Sequence, residues 1–314
     1  MKSDPEKLPL ILIAGPTASG KSALALALSR LLPVTIINAD ASQVYRDLRI
    51  VSARPSASDE RQTPHRLFGH IDGAESYSAA QWADDARETI SKVRANWRIP
   101  LLVGGTGLYI RTLLEGIAPV PDIDPLVRQA VRALSVAEAH SALTAEDPAA
   151  AARLSSNDTT RVARALEVVR SSGKPLAHWQ AERTGGIGNE VRLVPMILLP
   201  PREWLLSRCD SRFDAMLAEG GKKEVATLVA RGLDPALPVM RAIGVREIAG
   251  MLANPAGAPI LAEQAKTATR QYAKRQYTWF RNQSPGEWLR IDAQLDNDNI
   301  NILATKLQHM ALTD

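Results

Sequence analysis

Gly15-Pro16-Thr17-Ala18-Ser19-Gly20-Lys21-Ser22 satisfies the pattern G-x-x-x-x-G-K-[ST]. Residues of these types at this spacing suit one chemistry, the cradling of phosphate oxygens. Glycines let the backbone turn successive N–H groups inward, and the N-terminus of a following helix adds partial positive charge. The lysine of such a loop reaches the terminal phosphate, and the hydroxyl beside it can ligate Mg2+; Lys21 and Ser22 hold those places. The alternative is a chance glycine-rich turn. With every position satisfied, the loop predicts binding of a polyphosphate or diphosphate, as in nucleotide- and ATP-binding proteins. One carboxylate stands nearby, Asp40, after Ile36-Ile37-Asn38-Ala39. It reads either as a cap for the turn at Ala41-Ser42 or as a general base or water-mediated Mg2+ partner. A hydrolytic P-loop protein needs an acid at the end of a later strand. Here Ile99–Val103 runs into Gly104-Gly105-Thr106, which argues against NTP hydrolysis.

These residues need elements to hold them. Leu8–Ala14 is apolar enough for a buried strand, and Lys21–Leu31 is built from strong helix formers. Val34–Asn38 reads as a second strand and Tyr77–Trp97 as a helix with Ser76 as its cap. Pro100–Gly104 reads as a further strand. Strands alternating with helices predict an α/β fold: a P-loop NTPase-like parallel sheet with helices on both faces. Ligands in such sheets bind beyond the C-terminal strand ends, where the first loop, Asp40 and Thr106 all fall.

The pattern changes at Pro119-Val120-Pro121-Asp122-Ile123-Asp124-Pro125, where three prolines mark a boundary. Helices are expected over Pro125–Leu134 and Thr159–Ser171, then a glycine-rich link at Gly185-Gly186-Ile187-Gly188. Strand character returns over Val194–Leu199. The reading is a core over residues 1–118, a helical insertion over 119–190, and the core resumed over 191–314. Helices at Glu203–Glu219, Glu224–Arg231 and Leu261–Phe280 complete it, and the polar tail Asp292–Asp314 carries no signal.

Bulk properties agree. The 314 residues are 45% hydrophobic and 4% aromatic, as in soluble globular chains, and hold no uninterrupted apolar span of membrane length. Met1–Lys7 runs straight toward the first strand, leaving no room for a signal peptide. Cys209 is the only cysteine, which excludes an internal disulfide and fits a reducing cytosol. The histidines are scattered and none stands at zinc-ligand spacing from Cys209. A cytoplasmic monomer is expected. The net charge is only +4, but Lys266, Arg270, Lys274, Arg275 and Arg281 fall in one stretch without an acid, interleaved with Tyr272, Tyr277, Trp279 and Phe280. This is either a solvated basic face over an aromatic stripe or a nucleic-acid contact.

Taken together, the chain resembles the tRNA dimethylallyltransferases, or tRNA isopentenyltransferases, of the bacterial type. The likeness rests on Gly15–Ser22; Asn38-Ala39-Asp40-Ala41-Ser42-Gln43-Val44-Tyr45; Pro64-His65-Arg66-Leu67; and Val103-Gly104-Gly105-Thr106-Gly107-Leu108-Tyr109. It continues through Asn157-Asp158, Arg161, Arg164–Val168, Arg212-Phe213, Met216-Leu217, Arg241–Arg246 and Lys274–Arg281, in the family's order over almost the whole chain. After Tyr45 the family usually reads close to G-M-D-I-G-T-A-K-P. This chain has Arg49 in place of an acid and Val51 in place of a glycine, and nothing matches the eukaryotic zinc-finger extension.

The resemblance implies transfer of a dimethylallyl group from dimethylallyl diphosphate to N6 of the adenine beside the anticodon, with release of pyrophosphate. It implies diphosphate binding by Gly15, Pro16, Thr17, Ala18, Ser19, Gly20, Lys21 and Ser22, with Mg2+ on Ser22, and catalysis by Asp40, Thr106 and Arg212. The flipped adenine would meet Asp40, Ala41, Ser42, Gln43, Thr106 and Arg128. The anticodon stem-loop would be gripped by Thr160, Arg161, Val162, Ala163 and Arg164; by Arg241, Ala242, Ile243, Gly244, Val245 and Arg246; and by Lys274, Arg275, Gln276, Tyr277, Thr278, Trp279, Phe280 and Arg281. Rival readings are a small-molecule kinase on the same core, revealed by ATP turnover without RNA, and a prenyltransferase of free adenosine phosphates, revealed by weak salt dependence. A non-enzymatic RNA-binding module leaves Lys21, Ser22 and Asp40 without a purpose.

Overall fold

The computed structural model describes residues 9–313. Leu8, Met1–Lys7 and Asp314, on which parts of the sequence reading fall, lie outside the described residues. Six strands form one sheet: β1 (Pro9–Ala14), β2 (Val34–Asn38), β3 (His65–Arg66), β4 (Ile99–Gly104), β5 (Arg192–Leu198) and β6 (Leu289–Ile291). Their order is β3-β2-β4-β1-β5-β6 and every pairing is parallel. This is the expected α/β core. The central strands are apolar throughout because both faces of a parallel sheet are covered; Leu10, Ile11, Leu12 and Ile13 are all fully buried. Register matters more for function. Ala14 lies opposite Gly104 and Asn38 opposite Val103, so β1, β2 and β4 end level with one another. Gly15, Asp40 and Thr106 therefore leave the sheet side by side.

The helices of this core begin with α1 (Lys21–Ser29), α2 (Ala57–Gln62), α3 (Ala79–Ala95) and α4 (Gly107–Glu115). The cap of α3 is Ser78 rather than the expected Ser76, because Ser78 has Gln81 three residues on and closes a reciprocal capping box with it. The chain divides into two compact units, Met1–Leu113 with Gly188–Asp314, and Leu114–Ile187. The second unit is helical: α5 (Pro125–Ala133), α6 (Val136–Glu146), α7 (Pro148–Arg153), α8 (Thr159–Ser172) and α9 (Leu176–Gln180). Its own core gathers Val131, Leu143, Val162, Ala165 and Leu166. Helices α6 and α7 are short and alanine-rich, with too few apolar residues for a clear stripe, yet each opens on a cap, Ser135 or Asp147.

The first unit resumes with α10 (Arg202–Ala218), α11 (Gly221–Ala230), α12 (Val245–Ala253), α13 (Ala258–Gln283) and α14 (Asn297–Leu312). The last of these corrects the reading of the tail as featureless. Asp296 caps α14, and Leu303, Ala304, Leu307 and Ala311 are buried along one side. That side joins Leu24 and Leu28 of α1 in the sheet's core. Leu307 is fully buried, which stabilises by about 1.5–3 kcal/mol. Polar residues dominate the tail's composition, but their spacing leaves that stripe intact.

Candidate active site

The loop after β1 is shaped by close approach and by backbone. Gly15 has φ 150°, and a Cβ there would lie 2.4 Å from the Leu198 carbonyl oxygen at the end of β5. Only glycine fits. Ala18 takes the left-handed conformation at φ 62°. Lys21 turns its Nζ back to the Pro16 carbonyl at 2.6 Å. Burial holds its pKa down at about 8, against the opposing pull of Asp40. The Ser19 hydroxyl is buried and has no hydrogen-bond partner among the described residues, so the loop already contains a polar atom that a phosphate oxygen would satisfy.

The cap reading of Asp40 is realised, and its carboxylate also lines the cavity described below. Its Oδ1 accepts from the Ser42 N–H at 3.0 Å and from the Ser42 hydroxyl at 2.7 Å, capping the turn. Both of these bonds fall on one oxygen of the carboxylate. The backbone of Asp40 is fixed by Asn38, whose Oδ1 accepts the Asp40 N–H at 2.8 Å. Thr106 secures the next residue, its Oγ1 accepting the Ala41 N–H at 2.9 Å. Gly104 makes this possible: a Cβ there would come within 2.1 Å of the Ala39 carbonyl group. The loops after β2 and β4 are thus stapled together, with Thr106 acting first on the turn that presents Asp40.

These loops wall a cavity of about 860 Å³. Lys21, Arg208 and Arg212 line it, and Asp40 is its only carboxylate among the described residues. Burial lowers the pKa of Arg212 while Asp40 opposes that shift, as it does at Lys21. Arg208 stacks over Trp204, 4.6 Å from the ring centroid, and its Nε donates to the Ala18 carbonyl at 3.1 Å. Apolar and aromatic side chains also line it: Tyr45, Val51, Tyr109, Phe213, Met216, Ile243 and Tyr272. Burial pushes the hydroxyls of Tyr109 and Tyr272 and the Cys209 thiol above their ordinary pKa values, so all three stay protonated near neutral pH. Of these apolar and aromatic residues, sequence reasoning assigned only Ile243 to a site, as an RNA contact. Several sit inside the quoted motifs, but an aromatic at helical spacing reads equally as core.

No cluster of three or more His, Cys, Asp or Glu among the described residues could hold a metal alone. The exposed Ser22 hydroxyl and the Asp40 carboxylate line the cavity as hard oxygen donors. Such a set fits Mg2+, which keeps several waters and takes substrate phosphates as ligands.

The remaining sequence-predicted residues separate by face. Arg241, Ala242 and Ile243 line the cavity, and Arg241 and Arg246 are exposed. Gly244 caps α12, and Val245 is 1% exposed in the core behind it. On α13, Lys274, Arg275, Thr278 and Arg281 are exposed, Tyr277 and Trp279 are half-buried, and Gln276 and Phe280 are buried. Trp279 packs against Gly107, and Tyr277 donates to the Leu199 carbonyl at 3.3 Å. Two members of the basic stretch are spoken for: Lys266 pairs with Asp214, and Arg270 with Asp210 and Glu263. Gln43 lines the cavity, but its Nε2 is spent on the Ser52 and Ala53 carbonyls, both at 2.9 Å. In the second unit Arg128, Thr160, Arg161 and Arg164 are exposed, whereas Val162 faces that unit's core and Ala163 is half-buried against it. The departures at 49 and 51 are absorbed locally. Arg49 pairs with Glu60 at 2.9 Å, and the Glu224 carboxylate accepts the N–H groups of Arg49, Ile50 and Val51 at 2.6 to 2.8 Å.

Comparison with known proteins agrees with this architecture. A family model described as IPP transferase matches residues 43–283. The chain is 59% identical over 305 residues to the tRNA dimethylallyltransferase of Sphingopyxis alaskensis, an alignment covering 97% of this chain and all of that protein. It is 54% identical to the tRNA dimethylallyltransferase of Zymomonas mobilis, over 98% of both chains. The solved tRNA isopentenylpyrophosphate transferase of Bacillus halodurans superposes with a TM-score of 0.68 at 32% identity, covering 96% of this chain and 98% of that one. A eukaryotic dimethylallyltransferase caught acting on tRNA superposes at 0.75 with 27% identity, over 87% of this chain and 70% of that one. With the family model matching well over half of its length, the chain belongs to the IPP transferase family.

Proposed function

We propose that this chain transfers a dimethylallyl group from dimethylallyl diphosphate to N6 of the adenine beside the anticodon of tRNA, releasing pyrophosphate. One observation carries the reading: a single cavity has the Gly15–Ser22 loop with Lys21 and three arginines in its lining, and Asp40 as its one carboxylate among the described residues. The first half suits a leaving diphosphate and the second an incoming amine. In the transfer the bond from N6 to the allylic carbon forms and the bond from that carbon to the diphosphate oxygen breaks. Lys21, Arg212 and the loop N–H groups stabilise the charge that develops on the diphosphate. The Asp40 carboxylate, whose Oδ1 caps Ser42, accepts the N6 proton. Thr106 keeps Asp40 in place through Ala41. Ser22 and Asp40 would hold Mg2+, which when bound would neutralise diphosphate charge. An exocyclic amine is a weak nucleophile, so the aromatic walls matter for orientation and for excluding water.

RNA contact falls to the exposed cations: Lys274, Arg275 and Arg281 on α13, Arg241 ahead of α12 and Arg246 in its first turn, and Arg128, Arg161 and Arg164 of the second unit. These grip phosphates of the anticodon arm, while the target adenine leaves its stack for the cavity. No described helix is long and apolar enough to cross a membrane, and buried Cys209 is unpaired, both consistent with a cytoplasmic enzyme. Incubation with labelled dimethylallyl diphosphate and either an anticodon stem-loop or adenosine monophosphate tests the reading. Label at N6 of the stem-loop adenine is the expected result. Equal labelling of the free nucleotide, or ATP turnover without RNA, would overturn it.

A further inference from the structure

Gln276 lies on α13 between residues that face solvent, yet it is 6% exposed and its side-chain amide is committed across the molecule. Oε1 accepts the Thr17 N–H at 2.8 Å, and Nε2 donates to the Gly105 carbonyl at 2.8 Å. One end of this bridge is the phosphate loop. The other is the Gly104-Gly105-Thr106 loop, which holds the Asp40 turn through Ala41. The fit is close: a Cβ on Gly105 would stand 2.3 Å from Gln276 Nε2. Thr17, at 9% exposure, has little access to water, so losing the amide strands a backbone donor and a carbonyl together. The seating of α13 does not depend on this amide. Ala265, Ala273 and Phe280, each fully buried, hold that face of the helix.

We propose that Gln276 is a positioning residue for the transfer reaction. By bridging the Thr17 N–H and the Gly105 carbonyl it fixes the phosphate loop against the turn that presents Asp40, and so sets the distance from leaving group to base without touching RNA. The inference rests on the function proposed above and assigns to a buried amide what the linear motif offers as an RNA contact. A small error in that distance is costly, since a misplacement of about 1 Å can lower a rate by roughly 10²-fold.

Two variants test it. Gln276→Met keeps length and volume but makes neither bond. Gln276→Glu keeps an acceptor for Thr17 and sets a second oxygen against the Gly105 carbonyl. Pyrophosphate affinity, anticodon stem-loop affinity and single-turnover transfer rate are measured on the full chain beside wild type. The expected result is a rate lower by roughly 10- to 100-fold, pyrophosphate affinity weaker by on the order of 10-fold, and stem-loop affinity unchanged within about twofold. If Gln276→Met does not fold, Gln276→Glu carries the same comparison. Unchanged rate and pyrophosphate affinity with only a lower melting temperature would overturn the proposal, as would a loss confined to stem-loop affinity. A wild-type protein that transfers nothing to RNA would instead overturn the functional reading, and pyrophosphate affinity would still judge the bridge.

Discussion

The phosphate loop and helix α13 wall the same cavity by opposite routes. The loop is local: eight consecutive residues, two glycines and a helix N-terminus deliver backbone groups to one point. Helix α13 arrives from the far end of the chain and works with side chains on two faces. Tyr272 and Gln276 turn inward to the cavity and its loops, while Lys274, Arg275 and Arg281 turn outward. The difference teaches that a motif on a loop describes one site, whereas a motif on a helix can serve two. Substitutions in the loop should act on diphosphate and rate. Substitutions on the outer face of α13 should act on RNA alone.

Lys21→Ala should break the comparison most visibly. It removes charge at the leaving group and should lower the single-turnover rate by about 10²-fold or more, with stem-loop affinity intact. A near-normal rate would mean that the loop does not hold the leaving diphosphate. On the helix, Lys274→Ala, and likewise Arg246→Ala near α12, should weaken stem-loop binding by a few-fold each. Each should make log affinity fall less steeply with log salt, by a slope of about 0.7 for every RNA phosphate left without its cation. Pyrophosphate affinity should not move. If it falls with these variants, the two faces are not separate.

The smallest effect sharpens the electrostatics of the loop. Lys21 has a pKa near 8 rather than the usual 10.5, because burial disfavours its charge. A bound anion favours that charge, so binding pyrophosphate above pH 8 must return a proton to Lys21. Affinity should therefore decline as pH rises through about 8, with proton uptake visible as a dependence of calorimetric heat on buffer. For stability the sign is opposite. The fold carries the cost of a buried charge below pH 8, and that cost is relieved as pH climbs toward 10.5. Proton release on binding would contradict the buried, partly neutral Lys21.

The same contrast explains what could be read from the sequence. Phosphate loop, central strands and Asp40 were legible because a strand, a turn and a cap are short patterns with fixed chemistry. The two readings of Asp40 could not be separated from sequence, because the carboxylate that caps Ser42 through Oδ1 also lines the cavity. The bridge by Gln276 was illegible because its partners lie 259 and 171 residues away. Val162, Val245 and Phe280 entered the reading as members of contiguous runs, and helical geometry turned their side chains into cores. Strands β3 and β6, with two and three residues, are too short to show any period. Glu224, which secures the loop bearing Val51, joins it across some 170 residues through backbone N–H groups that no side-chain pattern records.

Asp40→Asn tests the central claim most directly, since the substitution keeps shape and can still accept from Ser42. Single-turnover transfer and melting temperature should be measured on the same preparation. As the proton acceptor, Asp40 predicts a rate lower by roughly 10²- to 10⁴-fold with little change in melting. A cap and nothing more predicts a loss of about 1 kcal/mol in stability with transfer intact; a destabilised but fully active enzyme would contradict the account.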